Sequence, residues 1–196
     1  QLIQIGANDG SRFDILNKFI KKNKTNSILI EPIKKNFLEL KKNYKKIRCV
    51  KLENCAISVN NDISFLFKVD EKFLKFYDNH IPGITSFNKD HLIKHGVKKK
   101  HISKEEVKSK SIKNIIKKNK LKRLDLLFID TEGYDGKIVL DFLKIGLFYP
   151  IIIFEYIHID NKTFEKVVKK LKSKKYKLFP VNENIVCLPN NKSIKL

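Results

Sequence analysis

The sequence predicts a single α/β domain built around a mostly parallel β-sheet. Its 196 residues match the roughly 100–200 residues of one domain with a core of its own. Short apolar runs bounded by Gly, Pro, Asn or Asp alternate with longer, lysine-rich amphipathic stretches, which is the order of βαβ units. The last two apolar runs, at residues 176–181 and 184–188, are joined by a short polar turn and predict an antiparallel pair.

The first half of the chain predicts strands that alternate with two helices. The strands are residues 2–5, 27–31 and 48–52, with a further strand at 63–69 on their flank. The first helix covers about residues 11–22. Its inward face, at helical spacing, consists of Phe13, Leu16, Phe19 and Ile20. The second helix begins at Pro32, because a first helical turn does not need the N–H that proline lacks.

The second half repeats this alternation. Helices are predicted at residues 112–118, 135–145 and 163–173, and strands at 124–130 and 151–156. The strand at 124–130 is apolar on both faces, which is typical of a central strand in a parallel sheet. It is therefore the strand whose end we expect closest to a binding crevice.

Residues 70–107 lie between these halves and are polar and weakly periodic. We expect an irregular insertion, and long loops of this kind in a compact domain are usually functional. The stretch from Gly83 to Phe87 offers the hydroxyls of Thr85 and Ser86, so the insertion is a candidate lid that binds an acceptor molecule.

The net charge of +21 comes from 42 Lys and Arg residues against 21 Asp and Glu residues. Such an excess suggests nucleic acid, an anionic membrane or acidic ligands as partners. Only Arg12, Arg48 and Arg123 are arginines, however, and phosphate recognition usually favours arginine forks. We therefore favour a solvated lysine-rich surface, and nucleic-acid binding stays the alternative.

Three cysteines, Cys49, Cys55 and Cys187, show no CxxC or other metal-binding spacing. Their odd number predicts reduced thiols in a cytoplasmic protein. The longest apolar runs, such as residues 151–154, have the length of a strand, so we expect no membrane span. The chain begins with Gln1 inside a predicted strand and contains no methionine, so we expect that a native start is missing.

Ligands of open α/β sheets bind beyond the carboxyl ends of the strands, and acidic residues stand at those ends here. The first strand is followed by the turn Gly6-Ala7-Asn8-Asp9-Gly10. This turn lacks the third glycine of a dinucleotide-binding motif, and Asp9 would repel a pyrophosphate, which disfavours a nicotinamide-dependent oxidoreductase. Glu31 ends the second strand, where a carboxylate can bind ribose hydroxyls. The alternative for Glu31 is an ordinary exposed glutamate before a helix.

Five segments, in chain order, carry a resemblance to a known family. They are residues 6–10, Glu31-Pro32, residues 54–58, and residues 129–135 followed by 153–155. Together they make the chain similar to the FkbM family of S-adenosylmethionine-dependent methyltransferases, from Leu2 to about Leu188. The resemblance implies a Rossmann-like class I methyltransferase fold, with a seven-stranded sheet, helices on both faces and a C-terminal hairpin. It also implies S-adenosylmethionine as cofactor.

The resemblance implies roles for individual residues. Those at the cofactor would be Gly6, Ala7, Asn8, Asp9, Gly10, Glu31, Pro32, Asn54, Ala56, Ile57 and Asp130. Glu31 would bind the ribose, and Asp130 would lie near the sulfonium and the amino-acid moiety. Two positions depart from the family pattern: Gln4 replaces a residue that is usually acidic, and Phe128 replaces a lysine that is common in relatives.

Methylation of a hydroxyl on a small molecule or glycan is the reaction that we expect, and a general base would assist it. Glu132 is the first candidate, and Asp130, Glu155 and His158 are the others. Thr85, Ser86 and Tyr134 are candidate contacts of the acceptor. The remaining histidines, His80, His91, His95 and His101, fit no metal-ligand spacing, although His91 and His95 could share a helix face. We therefore expect no metal.

Overall fold

The structure is a computed structural model that describes residues 1–12, 14–59, 62–78 and 81–190. Its helices are α1 (Asn17–Asn23), α2 (Lys34–Asn43), α3 (Lys89–Lys94), α4 (Ile112–Lys118), α5 (Asp135–Ile145) and α6 (Asn161–Ser173). Its strands are β1 (Leu2–Ile5), β2 (Ser27–Ile30), β3 (Val50–Glu53), β4 (Ala56–Ile57), β5 (Ile63–Val69), β6 (Thr85–Ser86), β7 (Ile102–Lys110), β8 (Leu126–Ile129), β9 (Ile151–Glu155), β10 (Tyr176–Val181) and β11 (Asn184–Pro189). Short 3₁₀ helices cover Glu71–Phe76, Ile81–Gly83 and Lys99–His101.

The larger of two sheets has seven strands in the order β10-β11-β9-β8-β1-β2-β3. Strands β3, β2, β1, β8 and β9 are parallel to one another, whereas β11 runs antiparallel to both β9 and β10. The prediction of an α/β fold with an antiparallel C-terminal pair is confirmed, and the sheet as a whole is mixed. Strand order reverses between β1 and β8, so their carboxyl ends flank a crevice.

Helices cover both faces of this sheet. On β1, Leu2 packs with Ile20 of α1 and Leu40 of α2, whereas the next residue, Ile3, belongs to a cluster that includes Phe142 of α5. Successive side chains of a strand point to opposite faces, so this alternation separates a layer of α1 and α2 from a layer of α4, α5 and α6. Among the described residues, no helix has the length and apolar character needed to cross a bilayer.

The prediction of an irregular insertion at residues 70–107 is wrong. This segment contains α3, β6, three 3₁₀ helices and most of β7, and it belongs to a second sheet with the order β4-β7-β5-β6. Strands β5 and β7 pair antiparallel from Ile63 opposite Lys108 to Val69 opposite Ile102. The sequence of β7, ISKEEVKSK, carries mostly polar side chains, so its hydrophobic pattern was too weak to predict a strand.

The prediction for the first helix is wrong at its start, because α1 begins at Asn17. The preceding residues form turns in which the Asp9 carboxylate accepts the backbone N–H groups of Ser11 and Arg12. Such local side-chain bonds compete with helix formation. Phe19 is 50% exposed and does not face the core. Phe13, also predicted to face inward, lies outside the described residues.

Candidate active site

A cavity of about 490 Å³ lies beyond the carboxyl ends of β1, β2, β8 and β9, within the range of roughly 300–1,000 Å³ typical of small-molecule sites. The second sheet and its connections form the opposite wall. The strand-end residues that line it are Gly6, Ala7, Asn8, Glu31, Pro32, Asp130, Thr131, Glu132, Glu155, Ile157 and His158. From the opposite wall come Ala56, Ile57, Leu66, Gly83, Ile84, Thr85, Phe87 and His95.

Gly6 allows the turn after β1 to lie directly against the end of β8. Its φ is 84°, and a Cβ at this position would lie 1.8 Å from the carbonyl oxygen of Asp130. The backbone N–H groups of Gly6 and Ala7 both donate to the carbonyl oxygen of Ile30 at 3.0 Å. The turn is therefore fixed between β2 and β8, where backbone can approach a ligand closely.

Glu31 is 4% exposed, and it holds the same turn from the other side. One carboxylate oxygen accepts the backbone N–H of Asn8 and the other accepts that of Ile33, both at 2.9 Å. Burial raises the pKa of Glu31 to about 7, although these hydrogen bonds oppose the shift. Each carboxylate oxygen can accept a second hydrogen bond, so Glu31 can both position the turn and bind a ligand in the cavity.

Three carboxyl groups converge at the ends of β8 and β9. Burial raises the pKa of Glu155 to about 9, and repulsion from Glu132 and Asp130 adds to the shift. Asp130 is accessible from the cavity, but protein surrounds it there, and burial followed by repulsion from Asp135 and Glu132 raises its pKa to about 7. The Oε2 atom of Glu155 is buried without a hydrogen-bond partner among the described residues. This end of the cavity therefore favours a cation.

Asp135 shapes the loop that carries Glu132. Its fully buried carboxylate accepts the Thr131 hydroxyl at 2.8 Å and the backbone N–H groups of Thr131 and Gly133 at 3.3 Å. Burial nevertheless raises the pKa of Asp135 to about 6. Within this loop Glu132 has a φ of 55° and Gly133 a φ of 99°. A non-glycine residue in the left-handed region costs about 1–3 kcal/mol, so the surrounding contacts impose the direction of Glu132.

Three histidines surround the Glu132 carboxylate. Its Oε2 atom lies 2.9 Å from Nε2 of His91 and 3.8 Å from Nε2 of His158, and His158 Nε2 is also 3.7 Å from Glu155 Oε1. The His95 ring packs against both other rings, with centroid distances of 4.6 Å to His91 and 5.0 Å to His158. Burial and the neighbouring His91 lower the pKa of His158. The sequence did not reveal this cluster, because its members come from three separate segments.

The model of the methyltransferase FkbM domain matches residues 4–178. The chain belongs to the FkbM methyltransferase family. A crystal structure of methyltransferase FkbM from Methylobacillus flagellatus KT is similar in fold, with a TM-score of 0.55 and 12% sequence identity over 95% of this chain. The chain spans 43% of that protein's length. The comparison of this sequence with curated proteins gives no match.

A second solved structure, ribosomal protein L11 methylase from Lactobacillus delbrueckii subsp. bulgaricus, aligns with 95% of this chain and 67% of its own. Its TM-score of 0.42 and its identity of 11% are too low to identify a common fold. The residues that the family model matches, 4–178, include the strand ends that border the cavity.

Asp9 and Gly10, which the FkbM resemblance assigned to the cofactor, do not line the cavity. The Asp9 carboxylate accepts hydrogen bonds from Ser11 and from the side chain of Arg12, with Arg12 Nε 2.6 Å from Asp9 Oδ2. Gly10 lies against α2, because a Cβ there would be 2.4 Å from the Leu40 side chain. Both residues stabilise the turn, so the expected negative charge of Asp9 does not face a ligand.

Three further predicted site residues also lie outside the cavity wall. Asn54 donates its side-chain amide to the carbonyl oxygens of the two residues that follow β2. The Ser86 hydroxyl donates to the carbonyl oxygen of Glu132 at 2.9 Å, and the Tyr134 ring packs against Phe87, with their centroids 4.6 Å apart. These contacts support the residues that do line the cavity, and of the predicted acceptor contacts only Thr85 reaches it.

Asp14 is a cavity residue that sequence reasoning missed. Gln4, which departs from the usual acidic residue of the FkbM family, donates its side-chain amide to Asp14 Oδ1 at 3.1 Å. Asp14 lines the cavity, and its Oδ2 atom is buried without a hydrogen-bond partner among the described residues. Asp14 follows Gln4 by ten residues in the chain, and its carboxylate lies beside the Gln4 side chain, where the family usually has an acid. Phe128, the second departure, also lines the cavity.

Proposed function

We propose that this chain transfers a methyl group from S-adenosylmethionine to a hydroxyl of a small molecule or glycan. The observation that carries the proposal is a pair of buried carboxylate oxygens, Asp14 Oδ2 and Glu155 Oε2, that have no hydrogen-bond partner within the described part of the chain and belong to residues in the wall of one cavity. A buried polar atom without a partner is costly, so such atoms indicate a ligand that completes them. The two carboxylates favour a ligand with cationic centres.

S-adenosylmethionine fits these requirements, because it has an ammonium group, a sulfonium group and two ribose hydroxyls. When bound, it supplies a methyl group on a positively charged sulfur. Asp14 would hold the ammonium group. Asp130, and Glu155 once it is ionised, would stabilise the sulfonium charge. Glu31 would accept the ribose hydroxyls, and the apolar wall around Ile57 would contact the adenine. The strand order supports assignment to the Rossmann-like class I methyltransferase fold.

The acceptor would occupy the part of the cavity between Thr85, Phe87 and the loop of Glu132. Holding an acceptor oxygen close to the methyl group and in line with it can supply most of the rate. Removal of the hydroxyl proton by a base adds typically about 10²–10⁴-fold. Glu132 and His158 are placed for this step, whereas Glu155 with its raised pKa retains its own proton near neutral pH.

The chain spans 43% of the related FkbM structure. Membership of the family therefore does not identify the acceptor, and a small molecule or glycan is part of our proposal. The alternative of a nucleic-acid-binding protein or an RNA methyltransferase gains no support from the comparisons. The cavity also argues against it, since acidic side chains and not lysines surround the proposed reaction site.

A calorimetric comparison of two glutamate variants tests the proposal. Glu31→Gln removes one charged acceptor from the cavity, and it should weaken S-adenosylmethionine binding by roughly 10- to 100-fold. Glu53→Gln is the matched control, because Glu53 is also a buried acid at a strand end but pairs with Lys110 and Lys118 outside the cavity. Equal affinities of the two variants would contradict the assignment of the ribose site.

A further inference from the structure

Four side chains bring metal-binding atoms together at one end of the cavity. His91 comes from α3, His95 is the residue that follows the C-terminus of α3, Glu132 comes from the loop after β8, and His158 comes from the loop after β9. One nitrogen or carboxylate oxygen from each of them lies within 4.8 Å of the others. We propose that these four residues, here called the His–Glu cluster, bind a divalent transition-metal ion such as Zn²⁺.

The chemistry of the His–Glu cluster selects the class of ion. Imidazole nitrogens suit Zn²⁺, Fe²⁺, Ni²⁺ and Cu²⁺, whereas Mg²⁺ and Ca²⁺ prefer sites made of oxygen atoms. Ligands at about 2.0–2.2 Å from Zn²⁺ in a tetrahedron lie roughly 3.3–3.5 Å apart. The distances from Glu132 Oε2 to His91 Nε2, 2.9 Å, and to His158 Nε2, 3.8 Å, are on either side of that value. All four ligand atoms lie within 4.8 Å of one another, so side-chain rotations that shorten the longer separations would complete the coordination.

The positions of the ligands are fixed by contacts outside the cluster. His95 follows the last residue of α3, and its ring packs on that of His91 in the helix, with centroids 4.6 Å apart. Leu92, which is fully buried, anchors α3. On the opposite side, the Ser86 hydroxyl donates to the carbonyl oxygen of Glu132. Metal sites depend on such supporting contacts to orient their ligands. These contacts hold the backbone of the ligand residues in place without an ion.

The two loops that carry Glu132 and His158 are in direct contact. A Cβ on Gly133, whose φ is 99°, would lie 3.1 Å from the carbonyl oxygen of His158. A hydrogen bond between Glu132 and His91 accounts for two members of the cluster only. It does not account for the His158 ring, which packs against His91 with a centroid distance of 4.5 Å and faces the same carboxylate. A shared ion explains why all four side chains converge.

An ion in this position would join α3 to the ends of β8 and β9, and so fix one wall of the cavity to the larger sheet. His95, Glu132 and His158 line the cavity. An ion whose coordination number exceeds the four protein ligands would therefore have open positions that face the interior of the cavity. An acceptor hydroxyl could coordinate there. That last role rests on the proposed methyl transfer, whereas binding of the ion does not.

Zinc binding by the untagged, chelator-treated chain tests this inference. Calorimetric titration with Zn²⁺, and elemental analysis after dialysis, should give one ion per chain. His95→Asn and His158→Asn should each weaken binding at least tenfold. The control is His101→Asn, because His101 stacks on Phe73 with a centroid distance of 3.9 Å and is not a member of the cluster; it should bind Zn²⁺ like the unmodified chain.

Thermal unfolding gives a second readout that does not depend on activity. An ion that binds only the folded state raises the unfolding temperature. At one Zn²⁺ concentration the unfolding temperature of the unmodified chain and of His101→Asn should therefore rise more than that of His95→Asn. Absence of stoichiometric binding, or equal binding by the cluster variants, would overturn the inference. Binding of S-adenosylmethionine by the zinc-free chain is measured separately, so failure of the metal site and failure of the proposed function are distinguishable.

Discussion

Gly6 and Asp130 approach each other so closely that a Cβ on Gly6 would lie 1.8 Å from the carbonyl oxygen of Asp130. This contact sets the turn after β1 against the end of β8, at the point where the strand order of the larger sheet reverses. Both residues line the cavity proposed for the cofactor. The contact therefore links the stability of the domain to the shape of the cavity.

Gly6→Ala should lower the free energy of unfolding by about 2–5 kcal/mol, because it combines a steric clash with a strained φ. Gly96→Ala is the matched control, since Gly96 has a similar φ of 82°, but a Cβ added there would have no atom within 4 Å. The strain alone should cost about 1–2 kcal/mol there. Urea denaturation of both variants measures the difference, and equal losses would show that the contact with Asp130 is unimportant.

Stability should fall as pH rises, because of the acids in the cavity. The folded chain retains the Glu155 proton up to about pH 9, whereas the unfolded chain releases it near its ordinary pKa of 4.5. Between these values the folded state binds more protons than the unfolded state, so the free energy of unfolding decreases with pH. Above about pH 7 the decrease should be due mainly to Glu155, since the pKa values of Asp130 and Glu31 are raised only to about 7.

Thermal unfolding of Glu155→Gln at about pH 7 and pH 9 checks this sign. The variant should lose most of the pH dependence seen in the unmodified chain, because it has no proton to release in that range. Glu53→Gln should keep the dependence. Although burial acts to raise it, hydrogen bonds from Lys118 and Lys110 hold the pKa of Glu53 below its ordinary value, so Glu53 is ionised in both states. The account fails on this point if both variants behave alike.

Asp14→Asn should weaken binding of S-adenosylmethionine and of its demethylated product, S-adenosylhomocysteine, by a similar factor of about ten. The reason is that both molecules carry the ammonium group that Asp14 would hold, and only the first carries the sulfonium charge. Asp141→Asn serves as control, because Asp141 lies on α5 and pairs with Lys144 away from the cavity. Calorimetry with both ligands measures the effect. An Asp14→Asn variant that binds both as the unmodified chain does would exclude this role.

The sequence predicted the parts of the fold that have a strong local pattern. The bounds of α4 and α5 agree with the prediction to the residue, because apolar side chains at helical spacing and clear breakers flank both helices. The acids at the strand ends that the sequence singled out, Glu31, Asp130, Glu132 and Glu155, all line one cavity. In each case the information lay within a few neighbouring residues.

What the sequence did not predict depends on contacts between distant segments. The second sheet forms because β5 and β7 pair although about 40 residues of chain separate them. The lysines of β7 also make its alternation of apolar and polar residues too weak to recognise. Asp9 was expected at the ligand, but its bonds to Arg12 turn it away, and Asp14 takes the acidic position at the end of β1. The His–Glu cluster likewise depends on the second sheet, which brings α3 to the ends of β8 and β9.

The central claim is that the acidic cavity binds a sulfonium cofactor, and the pH dependence of two affinities tests it most directly. Calorimetry should show micromolar binding of S-adenosylmethionine to the unmodified chain. Between about pH 6 and pH 9 its affinity relative to S-adenosylhomocysteine should rise by about tenfold or more, because the sulfonium charge binds best once Asp130 and Glu155 are ionised. No binding at millimolar cofactor, or a ratio of affinities that does not change with pH, would contradict the account.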